Sequence, residues 1–157
     1  TTKDTVYLDN SSAMNSTFES KGIKPGMTAF INLSLSGTNE VQLELPRSSA
    51  IPLGQNYEII VVGSAPSVNQ AGHRNKLLRI DQEQSSNTGI INGLITGTDL
   101  ENGRTTTTLY TGGSTLSATG SIGDRYDITL MQTGSSASNV KWMIHGHVSS
   151  ASLAVVI

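Results

Sequence analysis

The chain has no cysteine, which excludes a disulfide framework and any thiolate metal site. Charge is scarce at 14 % of residues. Ten Lys and Arg stand against 12 Asp and Glu, for a net charge of −2. No basic field is present to attract nucleic acid, and no basic amphipathic segment to lie on a membrane. Aromatic residues are few: two Phe, four Tyr and the single Trp142. A sugar-stacking platform would have to draw on Tyr7, Tyr110 or Tyr126. Long apolar runs are missing too. The longest, Ile59–Val62 and Leu153–Ile157, fall far short of the roughly 20 residues that span a bilayer. There is no Gly-x-Ser-x-Gly elbow, no phosphate loop and no dinucleotide fingerprint. The acids, among them Glu40, Glu44, Glu58, Asp81, Glu83, Asp99, Glu101, Asp124 and Asp127, are scattered. They read as solvated strand faces and turn residues, not as a catalytic carboxylate pair. No enzyme activity and no cofactor are expected.

What remains is small and polar. Ser, Thr, Gly and Asn make up 66 of the 157 residues. With low net charge and recurring Val, Ile and Thr, the composition predicts a turn-rich β protein and not a disordered chain. The length favours one domain. The chain opens Thr1-Thr2 without a leader pattern, as expected of a piece excised from something longer.

Residues 11–20 predict a short helix, with Asn10 or Ser11 as cap, Met14 and Phe18 spaced i,i+4, and Gly22 as its stop. Ala29, Ile31, Leu33 and Leu35 alternate with polar residues, and so do Val41, Leu43 and Leu45. Period-2 alternation on both sides of Ser36–Asn39 predicts an antiparallel hairpin. Tyr57–Val62 reads as a strand covered on both faces or as half of a sandwich interior. Further strands are expected at 5–8, 76–81, 88–96, 104–111, 126–132, 140–148 and 151–157. About nine short strands with polar connections, and no alternating amphipathic helices, predict an all-β sandwich, jelly roll or barrel.

The last 18 residues concentrate the unusual features. Val140, Trp142, Ile144, Gly146 and Val148 share one strand face; His145 and His147 share the other. After Ser149-Ser150 the phase changes, placing Ala151, Leu153, Val155 and Ile157 together. Ala154 and Val156 make the opposite face apolar as well, so this end is expected to be a covered, central strand. The two imidazoles, about 7 Å apart along a strand, suit packing or a seam. Three copies around a threefold axis would offer six imidazoles, a weaker, metal-binding alternative. Arg125, between Asp124 and Asp127 and next to Tyr126, reads as a local ion pair, or as a guanidinium offered to an acidic ligand at a subunit seam. Arg79, Arg125, Tyr126, His145 and His147 are the candidate ligand or intersubunit residues. Trp142, Ile144, Leu153, Val155 and Ile157 are the candidate core or trimer residues. His73-Arg74-Asn75-Lys76 reads as a solvated loop. The sequons at Asn10, Asn15 and Asn32 are expected by chance in so Ser/Thr-rich a chain.

The Ser/Thr/Gly/Asn-rich, cysteine-free texture and the ending Val140-Lys-Trp-Met-Ile-His-Gly-His-Val148 before an apolar terminus resemble the distal head of a trimeric phage fibre or needle. More narrowly, they resemble the C-terminal knob of the tail needle of short-tailed enterobacterial phages. The resemblance implies an antiparallel jelly-roll, tumour-necrosis-factor-like sandwich forming a homotrimer. Residues 1–22 would be the connector from an upstream coiled-coil shaft, and residues 23–157 the knob. It further implies a virion component at the tail tip that closes the DNA channel and meets the host cell envelope. The alternatives are a fibre head that recognises a host glycan and a glycan-cleaving spike fragment.

Overall fold

The computed structural model describes residues 4–9, 16–33, 41–63, 78–83, 90–99, 102–133, 140–149 and 154–157. It is an all-β sandwich. Its strands are β1 (Thr5–Asp9), β2 (Ser16–Thr17), β3 (Thr28–Asn32), β4 (Val41–Glu44), β5 (Asn56–Gly63), β6 (Leu78–Asp81), β7 (Ile91–Asp99), β8 (Arg104–Gly113), β9 (Thr115–Ala118), β10 (Arg125–Gln132), β11 (Lys141–Ser149) and β12 (Ala154–Val156). One sheet has seven strands in the order β1-β3-β5-β10-β11-β7-β8, and the other five in the order β12-β9-β6-β4-β2.

The first six strands alternate between the two sheets. β1, β3 and β5 lie parallel in one, and β2, β4 and β6 lie parallel in the other. Parallel neighbours cannot be joined by a tight hairpin and need a crossover. Here the crossover is a strand of the opposite sheet, so a chain without amphipathic helices still builds parallel pairs. β7 and β11 are also parallel. The sheets are therefore mixed, not antiparallel as expected.

This winding corrects the expected hairpin. β3 and β4 sit in different sheets and bury their alternate residues, Ala29 and Ile31 from one side, Val41 and Leu43 from the other. Alternation reports one buried face per strand; it does not say which strand lies beside it. The helix expected over 11–20 is corrected in its described part, residues 16–20; residues 11–15 lie outside the described residues. Ser16–Thr17 is extended and pairs with β4. Only a 3-10 turn, Glu19–Lys21, follows, held by reciprocal Thr17–Ser20 hydrogen bonds. Gly22 ends it at φ 73°, the left-handed conformation its stop role requires. Leu8 and Phe18, from the segment expected to be a connector, are buried in the core with residues of the later strands.

The core lies between the sheets. Its centre is the aromatic group Phe18, Tyr57 and Trp142. Phe18 meets Tyr57 edge-on at 5.1 Å, and Trp142 lies 6.3 Å beyond. Tyr57, Ile59 and Val61 point inward from β5 while Val62 is exposed, so that run is half of a sandwich interior. Trp142, Ile144, Gly146 and Val148 point inward from β11, as the parity predicts. β11 is an inner strand. β12 is instead an edge strand, which corrects the central position expected for the chain's end. Nor are both its faces covered as expected: Ala154 and Val156 are buried, Val155 is half-buried, and Ile157 is 69 % exposed. Val156 fits a notch made by two glycines: a Cβ on Gly93 would lie 2.5 Å from Val156 Cγ2, and a Cβ on Gly113 would collide with Val156 Cγ1. Ile157 is held by its backbone alone, donating to Thr115 O and accepting from the amides of Ser114 and Thr115. Ile157 is therefore not a core side chain. Leu153 lies outside the described residues.

Candidate functional site

The outer face of the seven-stranded sheet gathers three of the expected residues. In β10 and β11, Arg125 stands opposite His147 and Asp127 opposite His145. Across β10 and β5, Asp127 stands opposite Glu58. The Arg125 Nε lies 3.7 Å from Asp127 Oδ2 and 4.0 Å from Glu58 Oε2, on a half-exposed side chain. Such a loose, solvated pair contributes about 0–1 kcal/mol. Glu58 also accepts from the Thr28 hydroxyl at 2.8 Å. The imidazoles of His145 and His147 stack with centroids 4.7 Å apart and planes 32° apart. Among the described residues, no group of three or more His, Cys, Asp or Glu gathers to hold a metal. Apolar side chains interleave with this polar band: Tyr7, Val62, Leu109 and Met131 are all exposed.

Beside His147 lies a depression of about 250 Å³, lined by Thr96, Thr98, Ile122, Asp124, Val148 and Ser149. Asp124 is 1 % exposed. Its two oxygens accept from the amides of Ser121 and Ser149, at 2.9 and 3.0 Å. It pins the turn before β10 to the end of β11. The Ser149 hydroxyl is buried there without a partner among the described residues.

Two expected site residues lie elsewhere. Tyr126 points into the core, fully buried, and its hydroxyl finds no partner among the described residues. Burial, with the charge of Asp124 behind it, pushes that phenol far above its ordinary range. Tyr126 is thus a packing residue and not a ligand contact. Arg79 is on the outer face of the other sheet, where its Nε meets Asp81 at 2.9 Å. Asp81 also accepts from Gln42 at 2.9 Å and from the Thr115 hydroxyl at 2.8 Å. Glu83 is buried beside it and accepts from the Ser48 amide and hydroxyl. Arg79, Asp81, Glu83 and Thr115 line, with Glu44, a polar depression of about 340 Å³. Glu83 and Asp124 correct the expectation of solvated acids: each is buried as an anchor for backbone amides. Of the tyrosines considered for sugar stacking only Tyr7 is exposed; Tyr110 packs partly against the core. The segment 73–76 and the sequons at Asn10 and Asn15 lie outside the described residues. Asn32 ends β3 and donates to the Tyr7 hydroxyl at 2.7 Å.

A third pocket escaped sequence reasoning. It has about 230 Å³ and is lined by Ile23, Pro25, Pro46, Ile51 and Tyr57, together with Glu19, Gly22 and Lys24. Its wall is assembled from three separate segments. The only local signals were the Pro25-Gly26 turn and the paired prolines Pro46 and Pro52. No protein-family profile, curated protein or solved structure matches the chain.

Proposed function

We propose that the chain is the head of a trimeric phage tail needle, a structural and binding component of the virion tail tip that acts at the host cell envelope. The observation that carries this reading is the outer face of the seven-stranded sheet. It exposes Tyr7, Val62, Leu109 and Met131 around a nearly balanced band of Arg125, Asp127, Glu58, His145 and His147. A face that mixes apolar anchors with paired charges has the composition of a protein interface. The exposed Ile157 adds to it from the edge of the other sheet. Association would also cover the open sheet edges, which otherwise invite uncontrolled pairing. A non-catalytic role is supported by Asp81, Glu83 and Asp124, whose oxygens already accept hydrogen bonds within the fold.

Sedimentation of the chain at high concentration tests the assembly. A species near three times 16.5 kDa is expected; a single 16.5 kDa species refutes the trimer. Co-sedimentation with enterobacterial outer-membrane vesicles tests envelope binding. A head that recognises a host glycan is the second reading, favoured by the depression beside His147, whose lining mixes hydroxyls with Ile122 and Val148, and saturable binding of envelope polysaccharide there would select it.

A further inference from the structure

We propose that Asn102 is a site of spontaneous covalent modification: the Asn102-Gly103 pair cyclises to a succinimide, which water opens to aspartate and isoaspartate. The reaction needs no partner but water, so it holds whatever the head binds.

This chemistry is least hindered where glycine follows asparagine, because glycine has no side chain to shield its amide from the asparagine carbonyl. The chain contains the pair twice, as Asn92-Gly93 and Asn102-Gly103. The fold separates them. Asn92-Gly93 lies inside β7, an inner strand between β11 and β8. Gly93 is buried, with Ile144 opposite on one side and Tyr110 on the other. Val156 packs so close that its Cγ2 would lie 2.5 Å from a Cβ on Gly93. The Asn92 Oδ1 accepts from the Gly112 amide at 3.0 Å. To swing its side chain onto the Gly93 amide, Asn92 would have to leave that bond and distort the ladder on both sides.

Asn102 and Gly103 lie instead in the connection from β7 to β8, and both are exposed. Gly103 has a φ of 65°, and a Cβ there would meet nothing within 4 Å beyond its chain neighbours. The strand that follows, β8, is an edge strand exposed from Arg104 to Leu109. A hairpin end with so little buried surface opens locally at low cost. Asn102 has interactions of its own, but at an exposed turn these are exchanged for water with little loss. This pair can therefore reach the cyclic geometry without disrupting the sheet.

In the first step the Gly103 amide gives its proton to water, and its nitrogen attacks Asn102 Cγ. The Cγ–Nδ2 bond breaks, and the side-chain nitrogen takes up a proton and leaves as ammonia. Water then adds to one of the two ring carbonyls. Opening at Cγ gives aspartate. Opening at the main-chain carbonyl of Asn102 gives isoaspartate, with the main chain routed through Cγ. Either product adds one negative charge to the formal −2, close to where Asp99 and Arg104 face each other across the hairpin.

Peptide mapping of the intact chain, aged in warm neutral buffer made with heavy-oxygen water, tests the assignment. Heavy oxygen marks each opened imide, and isoaspartate methyltransferase labels the isomerised product. In the folded chain the peptide holding Asn102 should convert at least about tenfold faster than the one holding Asn92. In urea the two should convert at similar rates. Asn102→Gln, which would have to close a larger ring, should remove the acidic species and leave the urea midpoint unchanged. Three results overturn the proposal: no label at Asn102 in the folded chain while the unfolded chain converts there, equal conversion of Asn92 and Asn102 in the folded chain, or an undiminished acidic species in Asn102→Gln.

Discussion

Gly93→Ala is the sharpest probe of how the chain's end is held. The new Cβ would sit 2.5 Å from Val156 Cγ2 and 3.4 Å from Val156 Cβ. The first contact is well inside van der Waals distance, so β12 must move or Val156 must change rotamer. Overpacking of this kind costs about 1–3 kcal/mol. Val156→Ala removes two buried methyl groups, about 1.6 kcal/mol by transfer and about 2 kcal/mol with the space left behind. The double variant, Gly93→Ala with Val156→Ala, is the decisive measurement. Once the valine methyls are gone, the methyl introduced on β7 occupies the vacated volume. The pair should then cost at least about 1 kcal/mol less than the two single changes together, a coupling expected only of side chains in contact. Urea unfolding reads these differences from the midpoints, with the slope as a check that the denatured state is unchanged. For a chain of this size each kcal/mol moves Tm by about 2–4 °C. Additive costs, within about 0.5 kcal/mol, would refute the notch, as would a Gly93→Ala variant as stable as the parent.

Tyr126→Phe removes a buried hydroxyl that has no partner among the described residues. It should leave stability unchanged or raise it by up to about 1 kcal/mol in urea unfolding, and a loss above about 1 kcal/mol would show that the hydroxyl is satisfied. Asp124→Ala strips acceptors from the amides of Ser121 and Ser149, and should cost about 2–3 kcal/mol by the same assay. The pH dependence has a definite sign. Tyr57 and Tyr126 have folded-state values above the unfolded value of 10.0. Above about pH 10 the unfolded chain sheds protons that the folded chain keeps, so their contribution is complete below that pH and falls away as pH rises, for Tyr57 through about 12. Thermal unfolding between about pH 9 and 12 should show a declining Tm, with a shallower decline in the Tyr57→Phe, Tyr126→Phe double variant; identical profiles would refute the assignment.

The candidate site was legible only in part. His145 and His147 were placed on one face of one strand by parity alone, and the structure puts them there. That Arg125 and Asp127 stand directly opposite them is a matter of register between β10 and β11, which no local pattern encodes. Tyr126 was misplaced for a related reason. Read beside Arg125 it looks like a surface pair, but neighbours along a strand point to opposite faces. Arg125 is therefore solvated and Tyr126 buried. The buried carboxylates of Glu83 and Asp124 could not be told from surface acids, because their amide donors come partly from segments distant in the chain.

The sequence by itself determined the β class, most strand positions and the inward face of β11, because alternating side chains must sort between core and water whatever the partners. Tertiary structure decided which strands are neighbours. Ala29–Leu33 and Val41–Leu45 alternate in the same way, yet they lie in opposite sheets, since the hydrophobic effect is non-directional and asks only that each apolar face be covered. It decided the phase of the last strand too. Ala154, Val155, Val156 and Ile157 are apolar on both faces, so parity had nothing to choose between. The choice was made by the space above Gly93 and Gly113, which admits Val156 and sends Ile157 outward.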